Sequence, residues 1–127
     1  MPDKAVKIAG WAFASILGLL FTMSAWMKLT QNEAALAQAS SFGFDAAVYR
    51  FIGVIEMISL ILFLIPRTGI LGTLLLAAYM GGAIATHLQN QEPATAAILI
   101  QSLLWITAWI RFPELKQRLT LTNTKSL

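Results

Sequence analysis

The chain contains no cysteine, a single histidine, and only nine Lys or Arg and six Asp or Glu among its 127 residues. Without cysteine there is no disulfide framework, thiol relay or thiolate-bound metal within this chain. One histidine leaves no ligand set for a zinc or haem site, so no metal is expected. No glycine-rich loop is placed to cradle phosphate, because Gly81-Gly82 lies inside an apolar run. No serine stands in a nucleophile-elbow context either. Charged residues make up 12% of the chain, about half of the roughly 25% typical of soluble domains.

What the chain has in abundance is apolar surface. Hydrophobic residues reach 57% and the mean hydropathy is +0.70. A soluble domain of this size cannot hide that much apolar area. The composition therefore indicates an integral membrane protein whose first partner is the lipid bilayer. The net charge of +3 is read as a topology signal and a contact with anionic headgroups, with no role for nucleic acid.

Four apolar segments stand out against the ~20 residues needed to cross a bilayer. They run over about 8–27, 48–65, 68–87 and 94–110, and a basic tail of 111–127, expected to fray, follows them. Pro66, Pro93 and Pro113 fall between or after these runs, where proline does least harm to a helix. The first run is longer than a signal-peptide core and lacks a convincing cleavage site, so it reads as a retained helix. Between the first two spans, Asn32 offers a helix cap and Gly43 a stop, predicting a short interfacial helix. The expected fold is all-α, a single domain over 1–127, with four transmembrane helices in a bundle. Small residues at spacing four, Gly10-Ala14-Gly18, Ala77-Gly81-Ala85 and Ala78-Gly82, predict close helix contacts.

With both termini in the cytoplasm, the inner side holds Lys4, Lys7, Arg67, Arg111, Lys116, Arg118 and Lys125. The outer side keeps only Lys28 and Arg50. That asymmetry obeys the positive-inside rule, and the expected location is the cell inner membrane, multi-pass.

Polar residues inside the spans carry the functional signal. Glu56 interrupts the run from Phe51 to Ile65, and a carboxylate there usually faces the bundle interior and finds a partner. It lies about 9 Å deeper than Arg50, six residues earlier, at 1.5 Å rise per residue. The same depth count brings Thr22, Tyr79 and Gln101 into one outer-leaflet layer, below a rim of Lys28, Arg50 and His87. Tyr49, Gly53, Glu56 and Leu60 share a helix face, whereas Arg50 is rotated roughly 120° from Glu56. Glu56 is therefore expected to pair with Lys28 or His87 across helices, with Gly53 making room. The candidate pocket is Lys28, Arg50, Glu56, Tyr79, His87 and Gln101. Each has a plainer alternative: snorkelling for the cations, a register-fixing ion pair for Glu56, packing for Tyr79 and interhelical glue for Gln101.

The sequence resembles the DoxX-like family of small four-helix membrane proteins. The resemblance rests on Ser24-Ala-Trp-Met-Lys28-Leu and on Tyr49-Arg-Phe-Ile-Gly53-Val-Ile-Glu56. It continues through Leu64-Ile-Pro66, Ala77-Ala-Tyr-Met-Gly-Gly-Ala-Ile-Ala-Thr-His87-Leu and Arg111-Phe-Pro113. It implies association with a redox-protein partner. Taken with the shared depth of the polar groups, the leading expectation is a small-ligand site, quinone-like or lipid, or a membrane subunit of a redox complex, with a homo-oligomer also open. Any enzymatic role would be that of an accessory oxidoreductase subunit, without covalently bound cofactor. The alternative is an assembly or scaffold protein whose polar cluster is structural. A proton-coupled transporter is a third reading, limited by the narrow path that four helices provide.

Overall fold

The computed structural model describes residues 3–120. Helix α1 spans Asp3–Thr30, α2 Glu33–Phe42, α3 Ala46–Leu64, α4 Gly69–Gln89, α5 Thr95–Arg111 and α6 Pro113–Thr120, with a 3-10 turn at Pro66–Thr68 before α4. No strand is present among the described residues. Helices α1, α3 and α4 with its preceding turn are each long and apolar enough to cross a membrane. Helix α5 is shorter and meets α6 at a bend of 106°; taking the bent pair as one span gives a fourth. Long apolar side chains such as Leu19, Met23, Phe51, Ile58, Leu71 and Leu99 face outward, a surface suited to lipid rather than water.

The four long helices close into a ring, α1 on α3, α3 on α4, α4 on α5 and α5 on α1. The core on its axis is Leu17, Leu60, Phe63, Leu76 and Leu104, all essentially fully buried. The loop helix forms where its caps predict. The Asn32 side chain accepts from the Ala35 N–H at 2.8 Å, and Gly43, at φ +78°, supplies the left-handed residue that ends α2. Ala35 and Ala39 then pack against Tyr49, tying α2 to α3.

Two expectations are corrected. Residues 113–120 do not fray: α6 turns back at Phe112-Pro113 and buries Phe112 and Leu115 against the core. Lys125 and the rest of 121–127 lie outside the described residues. The glycines of the small-residue stripe on α4 do not make a helix contact, although Ala77 packs against the core. A Cβ added at Gly81 or Gly82 would meet nothing within 4 Å. The close approaches belong to Gly69, under the Phe112 ring, and Gly72, against the Phe63 backbone. Bulkier Leu76 and Met80 define the core face of α4, and that leaves Ala78, Gly81, Gly82 and Ala85 exposed. On α1 the pattern holds, with Gly10 and Ala14 buried.

Arg111 locks the end of the bundle where α1 begins and α3 ends. Its guanidinium donates to the carbonyls of Phe63 at 2.9 Å and Leu64 at 3.3 Å, the last carbonyls of α3, which no helical N–H can reach. It also lies 4.6 Å from the Trp11 ring centroid and 4.8 Å from that of Phe112.

Candidate functional site

Ser24 and Lys28 are one turn apart on α1, and Lys28 belongs to its buried face. Gly53 of α3 permits the close approach of α1, since a Cβ there would lie 2.8 Å from Lys28 Cβ and 3.3 Å from the Ala25 carbonyl oxygen. The lysine side chain can therefore turn inward and down toward Glu56, one helical turn below Gly53. Lys28 Nζ stands 3.1 Å from Glu56 Oε1, with side-chain exposures of 8% and 1%. Nζ also donates to Ser24 Oγ at 2.6 Å, and the Ser24 hydroxyl donates to the same Oε1 at 3.3 Å. Two aromatic faces flank the cation, Tyr49 at 5.3 Å and Tyr79 at 5.8 Å from Nζ to the ring centroid. A buried pair survives when hydrogen bonds and cation–π contacts of this kind offset its desolvation.

The pair forms part of the wall of a cavity of about 470 Å³, within the size range of small-molecule sites. Its lower wall is apolar, with Phe21, Met80, Ala97 and Ile100. Its end away from Arg111 is covered by α2 through Gln38 and Phe42. The Tyr49 hydroxyl donates to Gln38 Oε1, Phe44 stacks on Tyr49 at 5.9 Å, and Phe42 stands edge-on to the His87 ring at 5.1 Å. His87 Nδ1 lies 2.8 Å from the Ala83 carbonyl, which can only accept, so Nδ1 carries the proton. In the neutral ring Nε2 is then an acceptor.

Of the six expected pocket residues, Lys28, Glu56, Tyr79 and His87 line this cavity. Arg50 does not; it is exposed on α3, as its rotation away from Glu56 requires. Gln101 lies outside the lining and bridges helices, its Nε2 donating to the Ala77 carbonyl at 3.1 Å while its buried Oε1 has no partner. Thr22 faces outward, and α1 contributes Ser24 to the polar layer in its place. Glu56 takes Lys28 as its partner, and His87 bonds to its own helix. Ser24, Gln38 and Phe42 were not expected in the site. The i,i+4 spacing of Ser24 and Lys28 is a signal for the first, and nothing local to α2 signals the other two.

A sequence model of the DoxX-like family matches residues 12–110. The chain belongs to the DoxX-like family. No curated protein and no solved structure matches it. The DoxX-like match and the apolar helices together make this a transmembrane protein. The matched segment contains every residue of the cavity wall described above and stops one residue before Arg111. The Arg111-Phe-Pro113 lock therefore lies beyond the DoxX-like match, although the resemblance extended to it.

Proposed function

We propose that this DoxX-like protein is a four-span inner-membrane protein that binds a small amphipathic ligand, quinone-like or lipid, in its outer-leaflet cavity. It acts alone or as the membrane subunit of a redox complex. The basic residues support the orientation. Lys4, Lys7, Arg67, Arg111, Lys116 and Arg118 belong to the start of α1, the α3–α4 turn and the end of α5 with α6. Gly10 and Gly69 lie against Arg111 and Phe112 respectively, so these ends meet, and the positive-inside rule assigns that end to the cytoplasm. Helix α2 then lies at the outer interface.

The observation that carries the reading is where the Lys28–Glu56 pair stands. A pair that only fixes helix register can be sealed between helices, whereas this one lines a cavity with Tyr79 and His87. Convergent polar groups on an apolar-walled cavity are the usual anatomy of a ligand site. A structural reading has one observation of its own: the pair joins α1 to α3 directly over Gly53. Native mass spectrometry of the purified protein, with Glu56→Gln beside it, separates the two. The ligand reading expects a copurifying lipid-phase molecule on the native protein, and its loss from a variant that still unfolds near the native temperature. A variant that melts early, with no adduct on either protein, refutes it.

A further inference from the structure

The cavity contains one cation and one anion, already joined. Lys28 Nζ is 3.1 Å from Glu56 Oε1, and Ser24 takes a second of its hydrogens at 2.6 Å. The other basic residue expected here, Arg50, is exposed and outside the lining. An incoming carboxylate or phosphate would thus meet a neutralised lysine and stand beside the like charge of Glu56, an arrangement that rejects anions. The remaining capacity is mixed. It includes the third N–H of the Lys28 ammonium and the amide nitrogen of Gln38 as donors, and the Tyr79 hydroxyl oxygen and, in the neutral ring, Nε2 of His87 as acceptors.

The cavity also reaches the flank of the bundle. Leu20 of α1 and Ala78 and Gly82 of α4 line it while being exposed. The space beside Gly82 is open, since a Cβ there would touch nothing within 4 Å. On a helix that crosses the bilayer, that flank faces lipid. At the outer end, by contrast, Gln38 and Phe42 of α2 stand over the cavity, held by Tyr49 and His87.

Building on the ligand-site reading above, we propose that the cavity selects an uncharged amphiphile over an anionic one. Its hydrogen-bonding head rests against the Lys28–Glu56 pair, and its tail passes the flank at Gly82 into the bilayer. A head with both donor and acceptor character fits, such as a phenol or an alcohol; fatty-acid and phosphate heads do not.

Three probes sharing a dodecyl tail test this: para-dodecylphenol, dodecanoate and dodecyl phosphate, titrated at neutral pH into the full chain and followed by native mass spectrometry. The phenol is uncharged there because its group ionises near pH 10. The expected result is binding of the phenol at least about tenfold tighter than either anion. Glu56→Gln removes the negative charge beside the site and should narrow the preference for the phenol over dodecanoate. Gly82→Leu, which builds into open space, should weaken the phenol without changing thermal stability. Equal or tighter binding of an anion by the native protein overturns the proposal while leaving a ligand cavity in place. Phenol binding unaffected by Gly82→Leu overturns the lateral route. Failure of all three probes removes both the proposal and the reading beneath it. Should Glu56→Gln not fold, the ranking on the native protein decides.

Discussion

Replacing Lys28 with Met strands a buried carboxylate, and the structure sets the size of the effect. Glu56 is 1% exposed and loses a partner at 3.1 Å, with only the long Ser24 bond at 3.3 Å among the α1 contacts remaining to that oxygen. Breaking a buried pair from one side costs about 3–5 kcal/mol, whereas replacing both members with apolar residues of similar volume is often neutral or stabilising. An ordinary interhelical hydrogen bond in a membrane protein averages only about 0.6 kcal/mol and reaches about 1.7. Lys28→Met should therefore destabilise by well over 2 kcal/mol, and adding Glu56→Leu should restore most of that loss. The two single variants should also differ. Lys28 lies in the last turn of α1, so when Glu56 is removed its ammonium can withdraw to the outer surface. Glu56 is held deep within α3 and has no such escape. Reversible unfolding in mixed micelles, followed by helical circular dichroism, gives all four corners of the cycle. A Lys28→Met loss below about 0.6 kcal/mol, with no recovery in the double variant, would refute the reasoning.

The glycines of α4 should split into two classes. Gly72→Leu drives a side chain into the Phe63 backbone and should cost about 1–3 kcal/mol or more, whereas Gly81→Leu enters open space and should stay within about 0.5 kcal/mol in the same unfolding assay. Arg111→Lys keeps the charge but cannot reproduce the fork that reaches both the Phe63 and Leu64 carbonyls. It should lower stability by about 1–3 kcal/mol, and equal stability would show the lock to be dispensable. Because the native chain has no cysteine, orientation can be read by single substitutions. In right-side-out vesicles an impermeant maleimide should label Gln91→Cys and spare Arg67→Cys, and the reverse pattern would invert the topology.

Depth and local capping were legible in the sequence, and rotation was only partly so. The apolar runs, Asn32 and Gly43 give the helix starts and stops because each depends on neighbours a few residues away. Tyr49, Gly53 and Glu56 were placed on one face by their spacing alone, and all three turn toward α1. Thr22 and Ser24 could not be ranked in this way. Both lie at the right depth, and only the packing of α1 against α3 and α5 turns Ser24 inward. The α4 stripe misled for the same reason: spacing four says that Gly81 and Ala85 share a face, not which face the core takes. Gln38 and Phe42 were further out of reach, because α2 meets the cavity through contacts with Tyr49 and His87 that are distant in sequence.

The two halves of the bundle are built differently, and the difference bears on what the site can do. Beyond Glu56 toward the Arg111 end, the axis is filled by Leu60, Leu17, Phe63, Leu76 and Leu104, each at most 1% exposed. Gly69 and Gly72 bring α4 into contact with Phe112 and the end of α3 there, and Arg111 fastens the carbonyls of that same end. In the other half the glycines of α4 touch nothing, and the helices part to leave the cavity and its flank opening. Proton relays in membrane carriers run through chains of Asp, Glu or His. Here the axis beyond Glu56 carries leucine and phenylalanine, and the buried hydroxyls at Ser59, Thr73 and Thr107 each donate to a carbonyl of their own helix. A cavity closed at that end and open to the flank is suited to holding a lipid-phase molecule in one leaflet. In the proposed ligand-site reading, that arrangement puts the Lys28–Glu56 pair where the closed apolar half meets the cavity.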